Sequence, residues 1–185
     1  MDHAKDIISK RLRIRLIDWD DISHIHALHC LPETDEFNTL GIPKDLDETK
    51  KVITPWIAEN QTDAPSNYTF AVERQSDDNF LGLFGLKLSH PKFKSAEIWY
   101  KIHSSYWGKG YATEAVKAVL RFGFETLKLH RIEAGCAIAN VGSIKVLEKS
   151  GMALEGRRRE ILPLKSGWSD NFSYAILESD YQQNT

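Results

Sequence analysis

The alternation of polar and apolar positions predicts a strand near the start of the chain, followed by two helices. Residues 11–17, RLRIRLI, alternate basic with apolar side chains, which is typical of a strand with one buried face. In the DWDD that follows, Asp18 or Asp20 fits the N-cap of a helix. Apolar side chains recur at helical spacing over 47–60, and Pro55 within that span predicts a kink or a break.

Three runs in the middle of the chain predict an antiparallel meander. The runs 68–75, 80–90 and 95–103 have the composition of strands, and the first two are separated by the turn-forming SDDN. In the third run two sets of side chains alternate, Ile98, Tyr100 and Ile102 against Glu97, Trp99 and Lys101. Consecutive short strands of this kind pair most simply as antiparallel neighbours.

The second half of the chain predicts a right-handed crossover. A helix over 112–127 with one apolar face separates the meander from a strand over 130–139, so the strands on either side of it are expected to run parallel. A short helix over 143–151 and a closing hairpin of 153–162 with 170–177 complete the chain. The predicted architecture is α/β (α+β), a mixed sheet with helices on both faces.

Composition narrows the class of protein. With 185 residues and a formal net charge of −2, the chain is expected to form one domain over 1–185, with no electrostatic basis for binding nucleic acid. No apolar run reaches the ~20 residues of a membrane span, and the first residues lack the apolar core of a signal peptide. Cys30 and Cys136 form no CxxC pattern, so a reducing, cytoplasmic location is expected.

One histidine-rich segment invites comparison with a metal site. Its candidate ligands do not all share one face of a helix, and no carboxylate stands at a suitable second spacing. We therefore expect no metal at these residues, which are His24, His26, His29 and Cys30.

Residues 106–115, YWGKGYATEA, place two glycines directly before a predicted helix. Gly108 and Gly110 allow positive φ and a close approach of the backbone to a ligand, and a helix N-terminus presents unpaired amides to an anion. The spacing matches neither the Walker loop nor the Rossmann fingerprint. The segment therefore predicts either a cradle for a diphosphate or a tight strand-to-helix turn.

The sequence around this turn carries a resemblance. Residues 96–159, with AEIWYKI, WGKGYATEA and ANVGSIKVLEKSG, closely resemble the GNAT superfamily of acetyl-CoA-dependent N-acetyltransferases, and most of all its RimJ/RimL-type branch. The resemblance extends over about residues 11–180. It implies a GNAT fold, with a mixed, mostly antiparallel sheet of about six to seven strands, helices on both faces and a splayed strand pair.

The resemblance also implies a reaction. An acetyl group would pass from acetyl-CoA to a primary amine by direct attack in a ternary complex, without a metal. The acceptor would be a protein or peptide N-terminus, or a small amine such as an antibiotic or a metabolite. A non-catalytic acyl-CoA-binding module is the alternative, and the protein would be a monomer or a homodimer.

Several positions match the family's coenzyme-binding residues. The pyrophosphate loop falls on Trp107, Gly108, Lys109, Gly110, Tyr111 and Ala112. By resemblance, backbone amides of this loop, as far as Thr113, would hold the pyrophosphate of coenzyme A. Trp107 stands where Arg or Gln is usual, which affects a side-chain contact rather than the amides. The preceding strand, at Tyr100 and Ile102, would pair its backbone with the pantetheine arm, and Asn140 would bond a pantetheine amide.

Two side chains are candidates for proton transfer. Glu97 stands where some relatives carry a water-linked general base, and it fits a solvated strand carboxylate equally well. Lesser candidates for the base are Asp170, Glu155 and Glu160. The tyrosine with which many relatives protonate the leaving thiolate is Leu147 here, so Ser143 is the candidate acid, or simply the N-cap of its helix. A backbone N–H near Trp99 or Tyr100 would polarise the thioester carbonyl.

Exposed-looking aromatic and basic residues leave further alternatives. Trp99 stands where the branch often has glycine, so it either shapes the acceptor pocket or packs as an ordinary strand residue. Four further aromatic residues could either line an acceptor groove or pack in the core, namely Trp19, Phe37, Trp56 and Trp168. The arginines at 157–159 alternate between the faces of a strand, so solvated charges are expected there rather than an anion site.

Overall fold

The computed structural model describes residues 6–183, which form one eight-stranded sheet in the order β1-β2-β3-β4-β5-β6-β8-β7. The strands are β1 Ile7–Ile8, β2 Leu12–Leu16, β3 Asn67–Arg74, β4 Asn79–Leu88, β5 Ser95–Ile102, β6 Arg131–Ala137, β7 Ala153–Leu164 and β8 Gly167–Leu177. The sequence predicted six to seven strands, and the additional strand is β1. It is too short to produce an alternating pattern, and it pairs antiparallel with β2.

The described residues contain six α-helices. They are α1 Ile22–His29, α2 Pro32–Asp35, α3 Leu46–Asn60, α4 Tyr111–Arg121, α5 Val141–Lys149 and α6 Glu178–Gln183. Asp18 caps a single 3-10 turn that leads into α1. Pro55 lies inside α3 without ending it, so the expected break is wrong. The helix predicted over 112–127 is α-helical only to Arg121 and continues as the π-helical segment Phe122–Thr126. None of the described helices is long and apolar enough to cross a membrane.

The central strands β3 and β4 are buried on both faces of the sheet. Adjacent residues of one strand belong to different cores: Phe70 and Phe84 pack with α4 and α5, whereas Ala71 and Leu83 pack with α1 and α3. Side chains of successive strand residues point to opposite faces, so each core takes every second residue. Helices on both faces are thereby confirmed, and so are the antiparallel meander β3-β4-β5 and the parallel crossover from β5 to β6.

The two parallel strands pair over only part of their length. The ladder joins Ser95–Ile98 of β5 to Arg131–Ala134 of β6 and then ends. Beyond Ile98, β5 continues to pair with β4, and β6 continues to pair with β8. A gap, called here the splay, therefore opens between the second halves of β5 and β6, in the middle of the sheet.

Candidate active site

The glycine turn leads from the mouth of the splay into α4. Gly108 has φ 72° and Gly110, the N-cap of α4, has φ 80°. A Cβ at Gly108 would meet nothing within 4 Å, and one at Gly110 would meet only the Arg11 guanidinium at 3.5 Å. Backbone conformation, rather than crowding, is therefore what requires glycine here. No side chain caps the first turn of α4 within the part of the chain that the structure describes, so its amides suit an anionic group such as the coenzyme pyrophosphate.

Arg11, which sequence reasoning missed, holds this turn in place. Its Nη1 donates to the carbonyl of Lys109 (3.1 Å), its Nε donates to Glu114 Oε2 (2.6 Å), and its guanidinium lies 4.3 Å from the centre of the Tyr111 ring. Burial alone would raise the pKa of Glu114, but hydrogen bonds from Arg11 and Ser9 outweigh it and lower that pKa. The Lys109 ammonium donates to the carbonyl of Ser105 (2.9 Å).

Trp107, the residue that departs from the family pattern, closes the end of β5. Its indole Nε1 donates to the carbonyl of Ile102 at 2.7 Å. The ring thus fixes the 3-10 turn Ser104–Tyr106 between the strand and the glycines. The side chain at the position of the usual Arg or Gln therefore hydrogen-bonds to the protein's own backbone, and half of its surface remains exposed.

The backbone of β5 directs specific groups into the splay. His103 donates its N–H to the Leu81 carbonyl of β4 (2.9 Å). In an antiparallel ladder this direction alternates, so Lys101 and Trp99 also face β4, whereas Tyr100 and Ile102 turn their N–H and C=O groups toward β6. Since β6 has parted from β5 by that point, the Tyr100 backbone faces the open splay. Of the two amides considered from sequence, Tyr100 is the one with this orientation.

Ser143 and Tyr100 meet beside the splay. The Tyr100 hydroxyl lies 2.7 Å from Ser143 Oγ and 3.5 Å from the Ser143 carbonyl. Asn140 Oδ1 accepts the Ser143 backbone N–H (3.0 Å) and is the N-cap of α5, which begins at Val141. Reading Ser143 as the helix N-cap is therefore wrong: it is the third residue of the helix, and its hydroxyl is not used as a cap.

The groups around Ser143 are neutral near pH 7. Burial raises the pKa of Tyr100 above its ordinary value, and the hydrogen bond with Ser143 only partly offsets this. Burial likewise raises the pKa of the Cys136 thiol to about 11. Leu147, at the position of the family's usual acid, is fully buried in the core. The Tyr100 hydroxyl and the Cys136 thiol therefore both keep their protons beside Ser143.

On the opposite side of β5, Trp99 lies flat against a glycine. A Cβ on Gly85, its partner in β4, would fall 2.0 Å from Trp99 Nε1. The indole also contacts the Trp56 ring of α3, with centroids 5.5 Å apart. Both rings line a cavity of about 420 Å³ beneath α3, together with Pro55, Glu59, Tyr68 and Lys87. Trp99 is therefore a packed strand residue and a cavity wall at once.

Glu97 lies on this same side of β5, in the part that is still paired with β6. Its side chain is exposed, and its register neighbours are Lys87 of β4 and Glu133 of β6. Of the other carboxylates considered as the base, Glu160 is exposed and two are engaged elsewhere. Asp170 accepts from Arg157 and from the Glu160 amide, and Glu155 pairs with Arg131.

Two buried charged residues next to the splay, Lys101 and Asp35, were not predicted from the sequence. Lys101 and Asp35 are each only 6% exposed, and neither Lys101 Nζ nor Asp35 Oδ1 has a hydrogen-bond partner among the described residues. Burial lowers the pKa of Lys101, although the Asp35 carboxylate opposes this. Burial, followed by the positive charges of Lys101 and His26, lowers the pKa of His29 to about 4. The sequence contains one sign of these buried charges. Lys101 occupies a strand position between two residues of a kind that is usually buried.

The remaining candidates from sequence lie outside this centre. His26 bonds Thr49 Oγ1 (2.7 Å) and His24 stacks on Phe80 (5.5 Å), and no group of metal-binding side chains occurs within residues 6–183. Trp168 is 67% exposed and Trp19 is also exposed, whereas Phe37 is half-buried. The arginines at 157–159 are exposed on β7, as expected for solvated charges.

Comparison with known proteins gives the family. A model of the acetyltransferase (GNAT) domain matches residues 11–153. The chain is 36% identical over 135 residues to the probable N-acetyltransferase YjcK of Bacillus subtilis, covering 72% of this chain and 74% of that one. It is 23% identical to the ribosomal-protein-serine acetyltransferase of Escherichia coli, covering 93% and 96%.

Solved structures agree with the sequence comparisons. The spermidine N-acetyltransferase of Vibrio cholerae, solved in complex with CoA and spermine, superposes with a TM-score of 0.82 at 25% identity and covers 94% of this chain and 99% of that one. GNAT enzymes use acetyl-CoA as the acetyl donor. The chain belongs to the GNAT family, in its RimJ/RimL-type branch, and is an acetyltransferase.

Proposed function

We propose that this protein transfers the acetyl group of acetyl-CoA to a primary amine by direct attack within a ternary complex. The observation that carries the proposal is the splay between β5 and β6, which the Tyr100 backbone faces. It leads to the N-terminus of α4, whose first turn no described side chain caps. A relative with 25% identity was solved with CoA bound. An open strand gap that ends at an anion-binding helix fits a long coenzyme with a diphosphate at one end.

Coenzyme binding is assigned to the glycine turn and the strand edge. The amides from Gly108 to Thr113 would hold the pyrophosphate, with Arg11 keeping the turn in shape from behind. Backbone groups of Tyr100 and Ile102 would pair with the pantetheine arm, and the Asn140 side chain would bond one of its amides. Bound acetyl-CoA would supply the thioester that the amine attacks.

The residues beside the splay then have separate tasks. The Tyr100 N–H stabilises the negative charge that develops on the carbonyl oxygen. Ser143 donates its hydroxyl proton to the departing sulfur and regains one from water, because a serine alkoxide is too unstable to persist. The attacking amine must be neutral, and Glu97, which is exposed on the α3 side of β5, accepts its proton through water.

The acceptor is proposed to approach from the α3 side. Trp99 links the two regions, since its indole lines the cavity beneath α3 and the next residue, Tyr100, faces the splay. Aromatic faces from Trp56 and Trp99 beside the Glu59 carboxylate favour an amine-bearing ligand. The named relatives act on a ribosomal protein and on spermidine. For this chain we propose a peptide N-terminus or a small amine.

Thiol release from acetyl-CoA in the presence of an amine panel tests the proposal. The panel contains peptides with different first residues, spermidine, free amino acids and amine-bearing antibiotics. Release that depends on one class identifies the acceptor. Tight binding of acetyl-CoA without release by any amine would contradict the transfer reaction and favour an acyl-CoA-binding module.

A matched pair of variants tests the coenzyme site. Asn140→Ala removes the cap of α5 and the proposed pantetheine contact, whereas Asp45→Ala removes only the cap of α3, in which Asp45 Oδ1 accepts the Glu48 N–H at 2.8 Å. Each loses about 1 kcal/mol of stability. Only Asn140→Ala is expected to weaken acetyl-CoA binding by isothermal titration, and equal affinities for the two variants would contradict the assignment.

A further inference from the structure

We propose that Tyr100 is the positioning residue of Ser143, holding that hydroxyl so that its proton points to the departing sulfur. The inference rests on the proposed function and adds to it the residue that compensates for the missing acid at Leu147. It concerns the Tyr100 side chain, which is distinct from the backbone N–H already assigned to the carbonyl oxygen.

Both partners of this hydrogen bond are held from behind. The Tyr100 ring stacks on Phe84 with centroids 5.7 Å apart and an interplanar angle of 27°, which fixes where its hydroxyl lies. Ser143 is fixed through its backbone N–H, which Asn140 Oδ1 accepts. The distance of 2.7 Å between Tyr100 Oη and Ser143 Oγ is that of a well-formed hydroxyl hydrogen bond.

Tyr100 is assigned the donor role in this hydrogen bond, because that direction leaves the Ser143 proton free for the sulfur. Burial raises the pKa of Tyr100, so the phenol keeps the proton that it would donate to Ser143. Its acceptors here are Ser143 Oγ at 2.7 Å and the more distant Ser143 carbonyl at 3.5 Å. A serine hydroxyl carries a single proton, and one that accepts from Tyr100 keeps its own proton available for another acceptor. If Ser143 donated to Tyr100 instead, the Ser143 proton would not be available to the departing sulfur.

The step balances without charge on Tyr100. The amine nitrogen bonds to the carbonyl carbon, the carbon–sulfur bond breaks, and its electron pair goes to sulfur. Ser143 gives its proton to that sulfur and takes one from water, while the proton of the acetylated amine leaves to solvent through the base. Tyr100 remains a neutral donor throughout.

A double-mutant cycle tests the inference. Tyr100→Phe is expected to lower kcat about tenfold, because one hydrogen bond of roughly 1.4 kcal/mol is lost from the transition state. The KM and the Kd for acetyl-CoA should stay within about twofold, which also shows that the variant is folded. Ser143→Ala should lower kcat at least as much, and the double variant should equal Ser143→Ala alone.

Tyr181→Phe is the matched control, since it also removes a hydroxyl hydrogen bond, to Glu125 Oε1 at 2.7 Å, but in α6. Its kcat is expected to match the parent protein. A parental kcat for Tyr100→Phe, or additive losses in the double variant, would overturn the inference and leave the proposed function standing. A parental kcat for Ser143→Ala would instead remove Ser143 from the proposed function.

Discussion

The two sides of strand β5 differ in how well their polar groups are satisfied. On the side facing α5, Tyr100 is stacked on Phe84 and bonded to Ser143. On the side facing α3, the indole of Trp99 covers Gly85, and the ammonium of Lys101 is buried with no hydrogen-bond partner among the described residues. Both sides belong to one strand with one period, so the difference arises from what packs against them.

This difference bears on how each side is used. A satisfied, rigid network is what a fixed coenzyme geometry requires, because it holds donors where charge develops. Buried groups without partners cost free energy and are tolerated mainly where function or specificity requires them. The α5 side therefore has the rigid geometry that the proposed coenzyme site requires, whereas the α3 side carries the buried polar groups without partners.

The largest effect is expected at the coenzyme end of the α5 side. Gly110→Val forces a β-branched residue into φ 80°, a left-handed conformation that costs such residues roughly 1–2 kcal/mol or more. We expect acetyl-CoA binding, measured by isothermal titration, to weaken at least about tenfold. Gly41→Val is the control, because Gly41 has φ 82° and a Cβ there would meet nothing within 4 Å, but it stands in the loop before α3. Equal affinity in both variants would remove the turn from the coenzyme site.

The next effect concerns the match between Gly85 and Trp99. Gly85→Ala places a Cβ 2.0 Å from the indole, so Trp99 must leave its position, and the free energy of unfolding should fall by roughly 1–3 kcal/mol. Adding Trp99→Gly should restore most of the loss in urea denaturation. Gly156→Ala, whose Cβ would meet nothing within 4 Å, should be close to neutral. A Gly85→Ala protein as stable as Gly156→Ala would refute the packing described for this side.

Replacing Lys101 should raise the free energy of unfolding rather than lower it. Lys101→Met keeps the volume of the stem and removes a buried ammonium without a hydrogen-bond partner, so the free energy of unfolding should rise by roughly 1–2 kcal/mol. The exposed Lys117→Met should change it by less than about 0.5 kcal/mol. A loss of stability in Lys101→Met would mean that Asp35 depends on this charge.

The smallest effect is a pH dependence from His29. Its pKa is lowered from 6.5 to about 4 in the folded protein, so the unfolded chain binds the extra proton between these values. Stability should fall as pH falls through this window, by about 1 kcal/mol between pH 6.5 and 5.5. His29→Phe should remove this part of the slope in thermal or urea unfolding, whereas the exposed His130→Gln should retain it. An unchanged slope in His29→Phe would assign the effect to another group.

Much of the fold could be predicted because burial imposes a period on the sequence. Alternation marked the strands of the meander, and a helical period between two strands indicated the parallel crossover. Errors arose where a local rule was overridden. Pro55 does not end α3, since Ile53 and Ile57 on either side of it are packed in the core beneath the sheet. The start of α5 was missed by two residues because Asn140, its N-cap, also fits a turn.

The candidate site was predictable only in part, and for a physical reason. The glycine turn is local, so two glycines before a helix were enough to indicate it. The hydrogen bond from Tyr100 to Ser143 joins residues 43 apart, and the bond from Arg11 to Lys109 joins residues 98 apart. Contacts between distant positions leave no periodic trace in the chain.

The sequence alone therefore determined the strand and helix order, the glycine turn that suits a diphosphate and the resemblance to an acetyltransferase family. Tertiary structure decided which backbone groups of β5 face the splay, which side chain accompanies Ser143, and where Trp99 and Lys101 lie. A sequence pattern specifies which face of an element is buried. Only packing specifies what each buried polar group meets there, because that partner comes from a distant part of the chain.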